Sequence, residues 1–293
     1  MDIGKLGVWF FLDTMATTDA VAFVQRLEAL GYPALWLPEA VGREAFAQAG
    51  VVLGRTERIV IATGIANIWA RDPVAMAAGQ KTLAEASGGR FLLGIGVSHA
   101  PLVEGVRGHA YRRPLTAMRE YLARMETSPF MAVGPSEPPP TVIGAIRPKM
   151  IALAGERTQG VHTYFVPPEH TARTRAALPN DRWICVAQAV ILETDAGRAR
   201  TAARQYMRTY VPTLANYTEN LRDLGWGDAD FADGCSDRLV DAIVAWGEED
   251  AISARFRAHV AAGATHVCFL PIRSDGVPLP DMRALEAFSS LRL

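Results

Sequence analysis

The sequence predicts an α/β fold, a single (β/α)8 or TIM barrel with an insertion between the seventh and eighth strands, and three observations carry that prediction. Short apolar or β-branched runs alternate with segments of helical period along the chain, eight of each. Strands separated by helices must pair in parallel through crossovers, and eight such units in 293 residues favour a closed barrel over an open doubly wound sheet. The one linker-like stretch, Gly134 to Pro140, is followed by another strand, and a domain split there would leave only four units on each side. Residues 1–293 are therefore expected to form one domain, with residues 213–250 as the insertion.

Taken in order, Leu6 to Leu12 reads as a buried strand, and Asp19 to Leu30 as a helix stopped by Gly31. Ala34 to Leu37 is the second strand and Arg43 to Gly54 its helix. The third strand runs from Arg58 to Asn67, and Asp72-Pro73 supplies the cap and first-turn proline of a helix lasting to Ala86. Phe91 to Val97 is the fourth strand, with a helix over Tyr111 to Thr127. Thr141 to Ile146 and a helix from Pro148 follow, then Val161 to Val166 with a helix from Glu169, then Trp183 to Glu193 with a helix over Ala196 to Tyr210. The rhythm breaks over Thr213 to Asp250, where Gly225-Trp226-Gly227-Asp228 marks a turn and Asp237 to Trp246 a helix. Ala251 to Ala262, Thr265 to Ile272 and Pro280 to Leu291 complete the pattern as helix, strand and helix.

With 30 basic and 31 acidic residues the net charge is −1, so no overall field draws the chain to nucleic acid or an anionic membrane surface. Cys185, Cys235 and Cys268 lack Cys-x-x-Cys spacing, which suits buried thiols in a reducing compartment. The amino terminus lacks the pattern of a signal peptide, and no apolar stretch approaches the roughly 18 residues needed to span a bilayer. A cytoplasmic protein acting on a small molecule is the expectation.

Barrel enzymes carry their active sites at the carboxyl ends of the strands. Those positions are Asp13, Glu39, Asn67 with Arg71, Ser98 with His99, Arg147, Tyr164 and Arg273. Gly94 and Gly96 begin a dinucleotide-type Gly-x-Gly-x-x-Gly, but His99 stands where its third glycine belongs, and no helix signal appears for more than ten residues after Gly96. Glu39 suits a general acid or base, or equally a solvated cap, and His99 a proton donor or a loop histidine bonded to backbone. Arg147-Pro148-Lys149 at a helix start suits phosphate as well as it suits an ordinary basic surface. His162 and Tyr164 share one face of the sixth strand, either lining a pocket or packed outward, whereas His259 and His266 read as structural. No metal-ligand spacing, Gly-x-Ser-x-Gly or Walker loop occurs.

The run IVIATGIANIWARDPVAMAAGQKTLAEASGGRFLLGIGVSH, Ile59 to His99, closely resembles the segment around strands three and four of the bacterial luciferase-like oxidoreductases. ALWLPEAVGREAFAQA and VIGAIRPKMIALAGERTQGVHTYFVPPEHT resemble segments of the deazaflavin-dependent branch, and VAAGATHVCFLPI extends the likeness near the end. The resemblance covers most of residues 1–210 but not the insertion. It implies a barrel that binds coenzyme F420, or alternatively FMN, at the strand ends. Gly64 and Ile65 would form a bulge behind the ring, often with a non-prolyl cis peptide, and Asn67 would meet the ring edge. Gly96, Val97, Ser98 and His99 would lie beside the ring and ribityl chain, the two glycines letting the strand end approach the ring. Gly144, Ala145, Ile146 and Arg147 would lie near the phosphate. Trp36, His162 and Tyr164 would touch substrate.

One departure stands out. Deazaflavin dehydrogenases of this group often carry a histidine directly after the acidic residue at the end of strand two, and here that residue is Ala40. His99 or Glu39 would then handle the proton accompanying hydride transfer at the deazaflavin C5. The resemblance also admits an FMN-dependent monooxygenase served by a partner flavin reductase, or a non-catalytic cofactor-binding subunit, and it implies a homodimer.

Overall fold

In the computed structural model, which describes residues Met1–Leu293, eight parallel strands close on themselves. They are β1 (Leu6–Trp9), β2 (Ala34–Leu37), β3 (Val60–Thr63), β4 (Phe91–Gly96), β5 (Thr141–Gly144), β6 (Gly160–Tyr164), β7 (Trp183–Ile191) and β8 (His266–Pro271). Each pairs with its neighbour in chain order. Closure comes from β8, which pairs with β7 in the register His266 to Cys185 and with β1 in the register Val267 to Leu6. The chain thus forms a (β/α)8 barrel, with its strand carboxyl ends gathered at one mouth.

The outer layer holds α1 (Thr17–Ala29), α2 (Ala45–Leu53), α3 (Pro73–Ala86), α4 (Ala100–Gly105), α5 (Pro114–Glu126), α6 (Pro148–Arg157), α7 (Pro168–Ala177) and α8 (Ala196–Met207). After it come α9 (Ala215–Arg222), α10 (Asp228–Phe231), α11 (Asp237–Ile243), α12 (Glu249–Ala261) and α13 (Met282–Phe288). Local chemistry starts several of them. Asp72 accepts from Val74 N (2.8 Å) and Ala75 N (3.0 Å) ahead of Pro73, and Asp195 and Asp281 cap α8 and α13 in the same way. No helix is long and apolar enough to cross a membrane.

Three elements depart from the sequence pattern. The third strand is not continuous: it stops at Thr63, passes through a cis peptide at Gly64–Ile65, and resumes as Ala66–Asn67 against Ile95 and Gly96 of β4. A short helix, α4, begins four residues after Gly96, where the sequence showed no helix signal; Pro101 in its first turn is the cue. The helix expected to reach Trp246 ends at Ile243, because Ala245–Trp246 pairs with the end of β7.

Large side chains fill the barrel. Trp36 is fully buried, stacks on His162 (centroids 4.6 Å apart, 9° between planes) and donates its indole N–H to His266 Nε2 (3.0 Å). Gly7 leaves room for that layer, since a Cβ there would lie 2.8 Å from His266 Nε2. One layer nearer the mouth, Trp9 stacks on Tyr164 (5.0 Å, 27°) and donates to the Gly64 carbonyl (2.9 Å).

Candidate active site

A cavity of about 380 Å³ opens at the carboxyl ends of the strands, within the size range of small-molecule sites. Trp9, Phe11 and Tyr164 form its aromatic wall, and Gly64, Ile65, Gly96 and the stretch Gly144–Ile146 a flat apolar one. Ser98 and His99 border it from the end of β4, and Thr209, Tyr210, Leu214, Asn216 and Tyr217 cover it from the segment after α8.

The glycines of β4 have a local task. A Cβ at Gly96 would stand 2.6 Å from Ile65 Cδ1, and one at Gly94 would strike the Thr63 carbonyl oxygen. They make room for the interrupted third strand and its Ile65 side chain, and that side chain, rather than the glycines directly, presents the apolar surface. Gly144 accommodates the same side chain, with Ile65 Cγ2 3.1 Å from its would-be Cβ.

His99 sits at the amino end of α4, makes no side-chain hydrogen bond there, and packs on the Tyr217 ring at 5.3 Å. Burial favours its neutral form by disfavouring the imidazolium. The backbone just before it is held in place. Val97 O accepts from Trp69 Nε1 (3.0 Å), Ser98 O accepts from the Tyr111 hydroxyl (3.1 Å), and Ser98 itself has φ 58°, a conformation uncommon outside glycine and frequent at functional sites. His162 also lines the cavity, and neither of its buried ring nitrogens has a hydrogen-bond partner. Burial drives its pKa down to about 3, so it too is neutral.

Glu39 reaches the rim with both oxygens engaged. Arg71 Nη2 donates to Oε1 (2.5 Å) and Nη1 to Oε2 (3.1 Å), and Oε2 also accepts from Asn67 N (2.7 Å). Glu44 joins the same guanidinium, which stacks over Phe46 at 4.6 Å. This buried, bidentate pair ties the end of β2 to the end of β3. Both Glu39 oxygens, expected to handle a proton, are thus engaged by Arg71 and the Asn67 N–H.

Three other expected contacts do not reach the cavity. Trp36 lies a layer deeper, sandwiched in the barrel core. Asn67 is fully buried behind the wall, its Oδ1 accepting from Trp69 N (2.9 Å) and its Nδ2 without a partner. Arg147 turns outward to Asp223 (2.7 Å), linking α6 to the end of α9. Ala40 does line the cavity, where the resemblance expects a histidine. Missed altogether in the sequence were Trp9 and Phe11, which lie within the Leu6–Leu12 run read only as a buried strand, and the tyrosines after β7. Tyr206 and Tyr210 sit one helical turn apart with Tyr217 following, a spacing that could have drawn notice.

The residues present suit a planar heteroaromatic ring. Ile65, Ala145 and Ile146 supply an apolar face beside the aromatic wall of Trp9, Phe11 and Tyr164. A family model described as luciferase-like monooxygenase matches residues 6–266. A protein of Mycobacterium tuberculosis, provisionally named a coenzyme F420-dependent oxidoreductase, is 25% identical over 322 residues, covering 89% of this chain and 92% of its own. Among solved structures, an F420-dependent secondary alcohol dehydrogenase in complex with an F420-acetone adduct matches with a TM-score of 0.79 and 17% identity, over 98% of both chains. The FMN-bound oxygenating constituent of 3,6-diketocamphane monooxygenase from Pseudomonas putida matches at 0.72 and 16%, over 98% of this chain and 97% of that one. At those identities the solved structures establish a common barrel and no more.

Proposed function

The chain belongs to the luciferase-like monooxygenase family, and from that premise we propose that it is an F420-dependent oxidoreductase transferring a hydride between the deazaflavin and a small organic substrate. The observation that carries the proposal is the flat cradle of Ile65, Gly96, Gly144 and Ile146 in one cavity with a neutral His99. Similarity to a relative named for F420 across 89% of this chain favours deazaflavin over FMN.

Bound there, F420 would supply a carbon centre for two-electron transfer, which favours dehydrogenase or reductase chemistry over oxygen activation. Gly64, Ile65, Gly96, Val97 and the Gly144–Ile146 stretch would hold the ring. Its phosphate would meet the amino end of α6, which has no side-chain cap and carries Lys149 in its first turn. His99, unpartnered and neutral, can take a proton from a substrate hydroxyl during oxidation and return it in the reverse direction. Glu39, locked to Arg71, keeps the rim in shape around that exchange.

Titrating the purified protein with F420 and with FMN tests the assignment. Saturable quenching of deazaflavin fluorescence is the expected result. Tight FMN binding with none of F420 would overturn it in favour of a monooxygenase fed by a separate flavin reductase.

A further inference from the structure

We propose that Tyr111 and Trp69 are positioning residues that hold the backbone leading to His99, so that its imidazole meets the cavity in a single orientation. The proposal rests on the reading of His99 as the proton-exchanging group and adds the residues that aim it.

The first ground is where the sheet runs out. Gly96 is the last residue of β4 with a strand partner, Asn67, and its carbonyl accepts from Ile68 N (3.1 Å). Beyond it no neighbouring strand is left to bind the carbonyls, yet none of the next three is idle. Val97 O takes the Trp69 indole N–H (3.0 Å), Ser98 O the Tyr111 hydroxyl (3.1 Å), and His99 O the amides of Leu102 (3.1 Å) and Val103 (3.0 Å) that begin α4. Four successive carbonyls are thus held, the middle two by side chains from separate loops. The His99 ring makes no capping bond to α4 and packs on Tyr217, so its backbone is what sets its direction.

The two donors are themselves fixed, which is the second ground. Trp69 N donates to Oδ1 of the fully buried Asn67 (2.9 Å), and Tyr111 N donates to Glu104 Oε1 on α4 (3.0 Å). The chain from Ser98 to Tyr111 therefore closes on itself around α4. The Trp69 and Tyr111 rings stand 6.3 Å apart, and burial keeps the Tyr111 phenol in the protonated form that donates. Donors already anchored lose little freedom on binding a carbonyl, so they order the segment at small entropic cost.

Conformation is the third ground. Ser98 has φ 58°, in the left-handed region that a serine adopts less readily than glycine. A residue stays there only where its surroundings hold it, and the bonds to Val97 O and Ser98 O supply that hold. The turn at Ser98 fixes the direction in which the next side chain, that of His99, leaves the backbone. Placement matters because misplacing a reacting group by about 1 Å costs on the order of a hundredfold in rate.

The test is the His99 ring signal in long-range proton–nitrogen correlation spectra of protein labelled with heavy nitrogen in histidine, assigned by its absence in His99→Gln. Tyr111→Phe and Trp69→Phe each keep an aromatic ring and delete the donor. In both, the His99 signals should shift, or broaden by about twofold or more through microsecond-to-millisecond exchange among ring orientations, while those of His259 and His266 stay in place. Ser98→Gly should broaden them too, with a thermal midpoint at or above that of wild type. A looser ring in an equally stable fold is the signature that a purely structural role would not give. Sharp, unmoved His99 signals in both Tyr111→Phe and Trp69→Phe, or broadening shared by all six histidines, would overturn the proposal. The spectra need neither coenzyme nor substrate, so this failure is distinguishable from that of the proton-exchange reading, which turnover of His99→Ala tests.

Discussion

Two sets of buried or half-buried histidines in this barrel differ in what their ring nitrogens do. Outside the cavity they are fully used. His259 bridges the Thr171 hydroxyl and Gln188 Oε1 at 2.9 Å each, His266 bridges Trp36 and the Gly4 carbonyl, and His170 bonds Ile146 O at 2.8 Å. At the cavity His99 makes no side-chain hydrogen bond and His162 has two orphaned nitrogens. Burial keeps both sets neutral, so desolvation does not separate them. Satisfaction does. Buried polar atoms are almost always paired, so the two partnerless nitrogens of His162 stand apart from the satisfied rings of the other set.

The largest expected effect cannot distinguish the two sets, and it tests what they have in common. His162 and His259 have folded pKa values of about 3 and His266 of about 4, against an ordinary 6.5, all driven first by burial. Below about pH 6.5 the unfolded chain takes up protons that the folded chain refuses until about pH 4 or lower. The unfolded state then binds more protons, so stability is lost as the pH is lowered across that window, by on the order of 3 kcal/mol per histidine. Urea midpoints should drop steadily from pH 7 to pH 4.5. A flat profile would show that these rings protonate freely in the fold.

A substitution in the paired set comes next. His259→Leu strands the Thr171 hydroxyl and Gln188 Oε1 and should cost about 3 kcal/mol of unfolding free energy. Coenzyme affinity should stay unchanged, and a loss of affinity at full occupancy of the fold would erase the division between the sets. The smallest expected change in free energy falls on the open set. His99→Ala should lower turnover at least tenfold, about 1.4 kcal/mol of barrier, while leaving the urea midpoint in place. If kinetics stay at wild-type level, His99 belongs with the structural histidines after all.

The rhythm of eight strands and eight helices was legible because it rests on local periodicity and on caps such as Asp72-Pro73, whose bonds span only a few residues. Glu39, His99 and Tyr164 were legible as strand-end positions for the same reason. Their states were not. Whether Glu39 is free depends on Arg71, which comes from a different strand end, and whether Trp36 reaches the cavity depends on His162 and His266 from across the barrel.

By itself, then, the sequence determined the barrel and the address of the site, since hydrophobic period and turn chemistry act between near neighbours. Only the tertiary structure decided which groups at that address are free to react. The Ile65 side chain claims the space beside Gly96, Arg71 claims Glu39, and tyrosines from the segment after α8 close over His99. Those decisions are contacts between residues far apart in the chain, which become possible once the barrel has closed.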